Sequence, residues 1–257
     1  MSTKKEALKT VLVTGAGSGI GFETARLLLE NREYRLILIG KNREKLEQAA
    51  KDLATPDRLG IAACDLEDAS QIRKTMEKIT SGPHPLYALI NNAGIYPFGG
   101  ISDTTEKQWD EAMAVNLKAP FLLTQCALEQ LSKSPSGGRI VNISSTAGLL
   151  PNHFALAYSV SKAALIHMTK TLAKELGKHN ITVNCICPGI VRSPMHEAYS
   201  RNMAELEGFY EKKAQTFPIG RVGEPKDVAS AVKFFLDPNS GWITGDVLVV
   251  DGGRLLL

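Results

Sequence analysis

Thr10-Val11-Leu12-Val13-Thr14-Gly15-Ala16-Gly17-Ser18-Gly19-Ile20-Gly21 is the stretch on which the fold turns. A β-branched, apolar run enters a glycine-rich segment, and a helical pattern follows over 20–29. Glycines let the backbone turn tightly and come close to a ligand, while the first turn of a helix presents N–H groups and a positive dipole end. A strand, a glycine loop and a helix in this order therefore read as a turn for a dinucleotide pyrophosphate. The spacing G-x-x-x-G-x-G departs from the G-x-G-x-x-G pattern, and an ordinary tight turn is the alternative. Its place between the first strand and the first helix favours the ligand-binding reading.

Outward from this turn the same alternation continues. Short apolar runs at 35–39, 59–64, 86–90, 139–143, 181–186 and 247–250 alternate with helical patterns at 43–53, 69–79, 106–131, 157–176 and 224–236. Repeated β-α-β-α implies a parallel sheet covered by helices. Leu36-Ile37-Leu38-Ile39 is apolar throughout, as expected of a strand buried on both faces. The expected fold is α/β: a Rossmann-type doubly wound parallel sheet of about seven strands with helices on both faces, one domain over 1–257. A charged segment, 195–216, is the one excursion, expected to form a substrate lid at about 193–217.

The 257 residues carry a net charge of +3, with both signs interspersed and 44% hydrophobic content. No basic stripe marks a nucleic-acid binder, and no window approaches the ~18 uninterrupted apolar residues of a membrane span. The first nine residues have basic groups but no apolar core behind them, unlike a signal peptide. A soluble, cytoplasmic protein is expected. Cys64, Cys126, Cys185 and Cys187 lie in apolar patterns without C-x-x-C spacing, which reads as reduced core packing, with metal or redox use of Cys185 and Cys187 as the alternative.

Tyr158 and Lys162, four apart in a helical pattern, share one face. An ammonium beside a phenol favours the phenolate, so the pair suits proton transfer; an inconsequential surface pair is the alternative. At the end of the second strand, where a carboxylate would hold an adenosine ribose, the sequence has Gly40-Lys41-Asn42-Arg43. Lys41 and Arg43 suit a 2′-phosphate, which favours NADP(H), with NAD(H) possible. The other reading has both cations opening a solvated helix with Glu44 and Glu47. Later strand ends supply Asp65 and Leu66, then Asn91, Asn92, Ala93 and Gly94. Asp65 is placed to accept from the adenine amino group, Asn91 to tie strand ends together, and Gly94 to admit the cofactor.

Four ordered motifs resemble the short-chain dehydrogenase/reductase family over nearly the whole chain: Thr14–Gly21, Asn91–Gly94, the Tyr158/Lys162 pair and Pro188-Gly189. Phe217-Pro-Ile-Gly-Arg-Val-Gly-Glu-Pro-Lys-Asp-Val-Ala and the ending from Ile243 to Gly253 are most similar to its 3-oxoacyl-carrier-protein reductase-like subgroup. The resemblance implies cofactor contacts at Thr14, Gly15, Ser18, Gly19, Ile20, Gly21, Asn92, Ala93, Gly94, Pro188, Gly189, Val191 and Ser193, the last standing where threonine is usual. It implies a catalytic set of Asn116, Ser145, Tyr158 and Lys162. Ser145 lies thirteen positions before Tyr158, with Ser144 expected to face the other way. Tyr158 would protonate the oxygen of a ketone during hydride transfer, Ser145 would donate a second hydrogen bond, Lys162 would lower the phenol pKa and hold the nicotinamide ribose, and Asn116 would support a water behind the lysine. No metal is implied.

Substrate positions are expected after Gly94, between Ser145 and Tyr158, and in the lid: Tyr96, Leu150, His153 and Met195 above all, with Tyr199 and Met203 beside them. An apolar pocket suits an acyl, alicyclic or aromatic ketone better than a free sugar. The arginines that the subgroup presents to an acidic carrier are absent from Ser134-Pro-Ser136-Gly and Lys178-His179-Asn180, which weakens an acyl carrier partner without excluding it. The function expected is ketone–alcohol interconversion with NADP(H), on a 3-oxoacyl thioester or related carbonyl substrate. The alternatives are a lapsed enzyme kept for cofactor binding, or an NAD-dependent alcohol, hydroxysteroid or polyol dehydrogenase. The 106–131 and 157–176 helices and the tail Arg254-Leu-Leu-Leu257 resemble the family's two interfaces, so a homotetramer is expected, or a homodimer.

Overall fold

In the computed structural model, which describes residues 8–82, 84–197, 200 and 202–257, the opening run becomes β1 (Lys9–Thr14) and the glycine turn leads into α1 (Gly19–Leu29). There follow β2 (Tyr34–Gly40), α2 (Arg43–Leu53), β3 (Leu59–Ala63), α3 (Ala69–Thr80) and β4 (Leu86–Asn91). The chain continues through α4 (Glu106–Met113), α5 (Ala119–Ser132), β5 (Gly138–Ile143), α6 (Leu156–Leu176) and β6 (Ile181–Pro188). The last elements are α7 (Pro194–Glu197), α8 (Met203–Ala214), α9 (Pro225–Leu236) and β7 (Val247–Val250). Side chains start several helices: Asn42 accepts from the N–H of Lys45, Asp68 from Ser70 and Gln71, and Thr105 forms a reciprocal box with Gln108.

The seven strands are parallel and ordered β3-β2-β1-β4-β5-β6-β7. Strand alternation sends Val11 and Val13 of β1 into a core with Ala25 and Leu28 of α1, Leu46 of α2 and Val232 of α9. Leu12 enters the opposite core with Ile72 of α3, Leu122 of α5 and Leu176 of α6. Both faces of the sheet are thus covered, which is why β2 and β4 read as unbroken apolar runs. The strand order reverses between β1 and β4, and the carboxyl ends there form the crevice in which such sheets bind ligands.

Two elements differ from the sequence pattern. The 106–131 helix is interrupted at Ala114–Lys118 by a π-helical turn between α4 and α5. The 195–216 segment holds the single turn α7 and the separate helix α8, with Asn202 capping the latter through the Glu205 N–H.

Candidate active site

At the switch point Thr14 ties two strands together. Its hydroxyl donates to the carbonyl of Ile90 at 3.2 Å and accepts from the N–H groups of Asn92 at 2.9 Å and Ala93 at 3.0 Å. Asn92 returns the link, its amide donating to the Thr14 carbonyl at 2.8 Å. Asn91, expected to tie strand ends together through backbone hydrogen bonds, joins β4 to β5 through its side chain, its amide donating to Asn142 at 2.8 Å. Gly15 has φ +65, and a Cβ on Gly21 would lie 2.4 Å from the Gly15 carbonyl oxygen, so the loop folds back onto the first turn of α1. Ser18 caps α1 without a side-chain hydrogen bond, which leaves the first-turn N–H groups open toward the cleft.

The second wall is built from β5 and α6. Ser145, extended at φ −168, accepts from the Ala147 N–H at 3.1 Å and hydrogen-bonds the Tyr158 phenol. Ser144 turns away and donates to the Lys162 carbonyl at 2.8 Å. Tyr158 and Lys162 are both buried, and Lys162 Nζ donates to the Ile143 carbonyl at 2.8 Å. That ammonium stands 5.7 Å from the Tyr158 ring centre. Burial dominates both groups: it pushes the Tyr158 phenol up to about 12, against the hydrogen bond from Ser145, and pulls Lys162 down to about 8. The expected lowering of the phenol by Lys162 is therefore not what this geometry gives. Asn116, buried on the π-helical turn, clamps the Ile95 backbone, accepting from its N–H and donating to its carbonyl, both at 2.9 Å, and also donates to Ser161 at 3.0 Å.

A cleft of about 1240 Å³ joins these walls. Of the residues expected at the cofactor and substrate, it is lined by Gly15, Ser18, Gly19, Ile20, Lys41, Asp65, Leu66, Asn92, Ala93 and Gly94; by Ser145, Tyr158 and Lys162; by Pro188, Gly189, Val191 and Ser193; and by Tyr96, Leu150, His153 and Met195. Thr14, Gly21 and Asn116 lie behind this lining and shape it, as the contacts above describe. Ser193 and Pro194 roof the glycine loop: a Cβ on Gly19 would meet them at 3.5 and 3.6 Å. Met203 is exposed at the start of α8 and is not part of the lining, and Tyr199 lies outside the described residues.

At the β2 end Lys41 pairs with Asp65 at 2.8 Å and reaches Glu67 at 3.6 Å. Partial burial opposes ionisation of Asp65, but the Lys41 ammonium and the Glu67 N–H outweigh it and hold the carboxyl below its usual range. Arg43 turns to Glu47 at 2.8 Å on the surface of α2 and does not line the cleft. At the other end Tyr96 stands edge-on to Tyr158, ring centres 4.6 Å apart, and the Asn152 amide donates to its hydroxyl at 3.3 Å. Phe98 and Phe154 stack at 6.3 Å, and the Gly99–Ala155 bridge fastens their two loops into one wall. His153 lies against Phe154.

Asn152, His196, Phe209, Lys213 and Arg254 join the cleft with no motif to announce them. Asn152 sat between Ser145 and Tyr158, and His196, Phe209 and Lys213 in the 195–216 segment, stretches already expected to face substrate; Arg254 sat in none. Among the described residues no group of three His, Cys, Asp or Glu side chains could hold a metal, and no helix is long and apolar enough to cross a membrane. Cys185 and Cys187 share one buried face of β6 and pack against Ile166 of α6.

Comparison with known proteins follows the same outline. The family described as short chain dehydrogenase matches residues 9–204. An uncharacterized oxidoreductase of Thermotoga maritima is 38% identical, over 95% of this chain and 96% of its own. A 3-oxoacyl-acyl-carrier-protein reductase of the same organism is 35% identical, over 96% and 98%. The human dehydrogenase/reductase SDR family member 4 is 34% identical, over 98% and 90%. A solved structure, ElxO with NADP bound, superposes with a TM-score of 0.88 at 28% identity, covering 97% of this chain and all of the other.

Proposed function

The chain belongs to the short-chain dehydrogenases and is an oxidoreductase, and from that premise we propose that it interconverts a ketone and a secondary alcohol with NADP(H). The observation that carries the reading is the single cleft in which an open helix N-terminus and the Ser145–Tyr158–Lys162 wall face the same space.

The residues present fit the cofactor. The glycine loop and the first-turn N–H groups of α1 suit a pyrophosphate. Lys41, which lines the cleft, would receive a 2′-phosphate, and the NADP bound by the ElxO structure supports that choice. Asp65 would receive the adenine amino group, and Lys162 the nicotinamide ribose hydroxyls. Bound NADP(H) supplies or takes the hydride.

The chain's own groups handle the proton. As negative charge develops on the substrate oxygen, Tyr158 transfers its proton there and Ser145 donates a second hydrogen bond. The Tyr158 phenol is protonated at neutral pH and ready to act as the acid for carbonyl reduction, and burial extends that state to higher pH. Asn116 positions the Ile95 backbone and Ser161, one turn from Lys162, and so fixes the wall behind the reacting groups. The aromatic wall of Tyr96, Phe98 and Phe154 supports a substrate with an apolar body, a 3-oxoacyl thioester or a related carbonyl compound. The 193–217 segment, which places Ser193 over the glycine loop and Met195 in the cleft, serves as the substrate lid. Free thiols at all four cysteines support a cytoplasmic location.

NADPH oxidation with a panel of ketones and acyl thioesters tests the reading. Tyr158→Phe is expected to lower kcat by about 10²–10⁴-fold with NADPH affinity retained. Turnover unchanged in Tyr158→Phe would remove the phenol from the chemistry, and no turnover on any substrate would leave a cofactor-binding protein.

A further inference from the structure

Four cations on or near the lid segment are held in two different ways, and a fifth is exposed. Arg192 pairs with Glu207 at 2.6 Å and Glu224 at 3.3 Å, and Arg221 pairs with Asp227 at 2.6 Å. Lys212 is exposed on the outer side of α8. Lys213 and Arg254 are the two that line the cleft, both half-buried. Among the described residues neither forms an ion pair. Each lies instead against an aromatic face: Lys213 Nζ is 5.7 Å from the Phe209 ring centre, and the Arg254 guanidinium 5.6 Å from that of Phe217.

These two rings belong to one small core, where Phe217 packs with Leu206 and Tyr210 and Phe209 closes its edge. The turn after β7 rests on the same core, since a Cβ on Gly252 would fall 2.7 Å from Ile219 and 3.3 Å from Phe217. Lys213 from α8 and Arg254 from the C-terminal turn therefore flank a shared support. A cation stacked on a ring is held in place while its N–H donors remain available, unlike one committed to a carboxylate. Glu205 also lines the cleft, but it sits eight residues before Lys213, about 12 Å along the helix axis.

We propose that Lys213 and Arg254 form an anion site at the lid end of the cleft, and that the natural carbonyl substrate carries an anionic oxygen group, phosphate ester or carboxylate, distinct from the carbonyl that reacts at Tyr158. The proposal rests on the cleft being that of a carbonyl reductase. A planar guanidinium and an ammonium lining the same cleft suit the oxygens of either group, and a half-buried site strengthens such charge-assisted hydrogen bonds.

Matched substrates at saturating NADPH separate the two ideas. Acetoacetyl-coenzyme A is compared with acetoacetyl-N-acetylcysteamine, which keeps the carbonyl and lacks phosphate, and 4-oxopentanoate with its methyl ester. The charged member of one pair is expected to have a KM lower by about tenfold or more, rising with added KCl, and the pair that shows it identifies phosphate or carboxylate. In the Lys213→Ala/Arg254→Ala double variant that KM rises by about tenfold, while kcat and the neutral partner's KM stay within about twofold. Equal KM values within both pairs, or a double variant that shifts charged and neutral substrates alike, overturns the anion site. Turnover of none of the four substrates counts against the reductase reading instead. Calorimetric titration of acetoacetyl-coenzyme A into the NADPH complexes of wild type and double variant then decides the anion site: binding weakened about tenfold supports it, and equal binding rejects it.

Discussion

Burial sets the chemistry of Tyr158 and Lys162 at a cost to the fold. Lys162, 3% exposed, has its pKa pulled from 10.5 to about 8 in the protein without cofactor. Below pH 8 the ammonium is charged in both folded and unfolded chains and its burial destabilises fully; between pH 8 and 10.5 the unfolded chain binds more protons, so stability rises with pH. Lys162→Met is therefore expected to stabilise the cofactor-free protein by about 1–3 kcal/mol at pH 7, after allowance for the lost bond to Ile143, while abolishing turnover. Thermal unfolding at pH 7 and pH 9.5 checks this: the gain should shrink at the higher pH, and a lower Tm at pH 7 would refute it. Tyr158 behaves oppositely, its contribution being complete below pH 10 and lost between pH 10 and about 12, but it is common to both proteins. The raised phenol also predicts that alcohol oxidation, which needs the phenolate, accelerates with pH up to at least 10, whereas reduction does not; parallel profiles would contradict it. Lys41→Ala should raise KM for NADPH much more than for NADH, and equal effects would remove the case for NADP.

Short elements carry the positioning. The 3-10 turn Thr146–Gly148, which follows Ser145, packs directly on α6, and a Cβ at Gly148 would fall 2.7 Å from the Lys162 carbonyl carbon and 2.9 Å from the Ala163 nitrogen. Backbone cannot yield there, so Gly148→Ala should push the turn, and Ser145 with it, away from Tyr158. A kcat loss of more than about tenfold with NADPH affinity held within about twofold is expected, read by stopped-flow turnover and cofactor fluorescence. The π-helical turn brings Asn116 to the Ile95 backbone and Ser161 at once. Asn116→Leu strands these buried groups and should cost about 2–4 kcal/mol in urea unfolding. The apolar period of 106–131 is legible in sequence, but the π-helical turn is not, because one extra residue per turn is set by what the side chain must reach.

Large apolar side chains remain outside the two cores: Trp109, Phe121 and Val160 on α4, α5 and α6, and Phe234, Trp242, Val249, Leu256 and Leu257 around α9, β7 and the C-terminus. Surfaces of this kind are expected to be covered in a homotetramer through two separate faces. Multi-angle light scattering at micromolar concentration should give four copies, with Phe121→Glu reducing the assembly to two; a monomeric wild type would reject this arrangement.

The sequence by itself determined the layered α/β architecture, since buried parallel strands must be apolar throughout and their crossover helices amphipathic. It also determined the glycine loop and the alignment of Tyr158 with Lys162, which depend on local spacing that neighbours in the chain enforce. The family resemblance chose Ser145 over Ser144, strand alternation saying only that the two face opposite ways, and the structure turns Ser144 to the Lys162 carbonyl while Ser145 meets the phenol. Tertiary structure alone decided which asparagine ties β1 to β4, why the phenol is raised and not lowered, and why Lys41 meets Asp65 while Arg43 does not. It alone brought Lys213 and Arg254, 41 positions apart in the sequence, to one cleft. The physical reason is common to all of these: solvation and long-range contact belong to the packed chain, and no local spacing encodes which charges burial leaves facing one another.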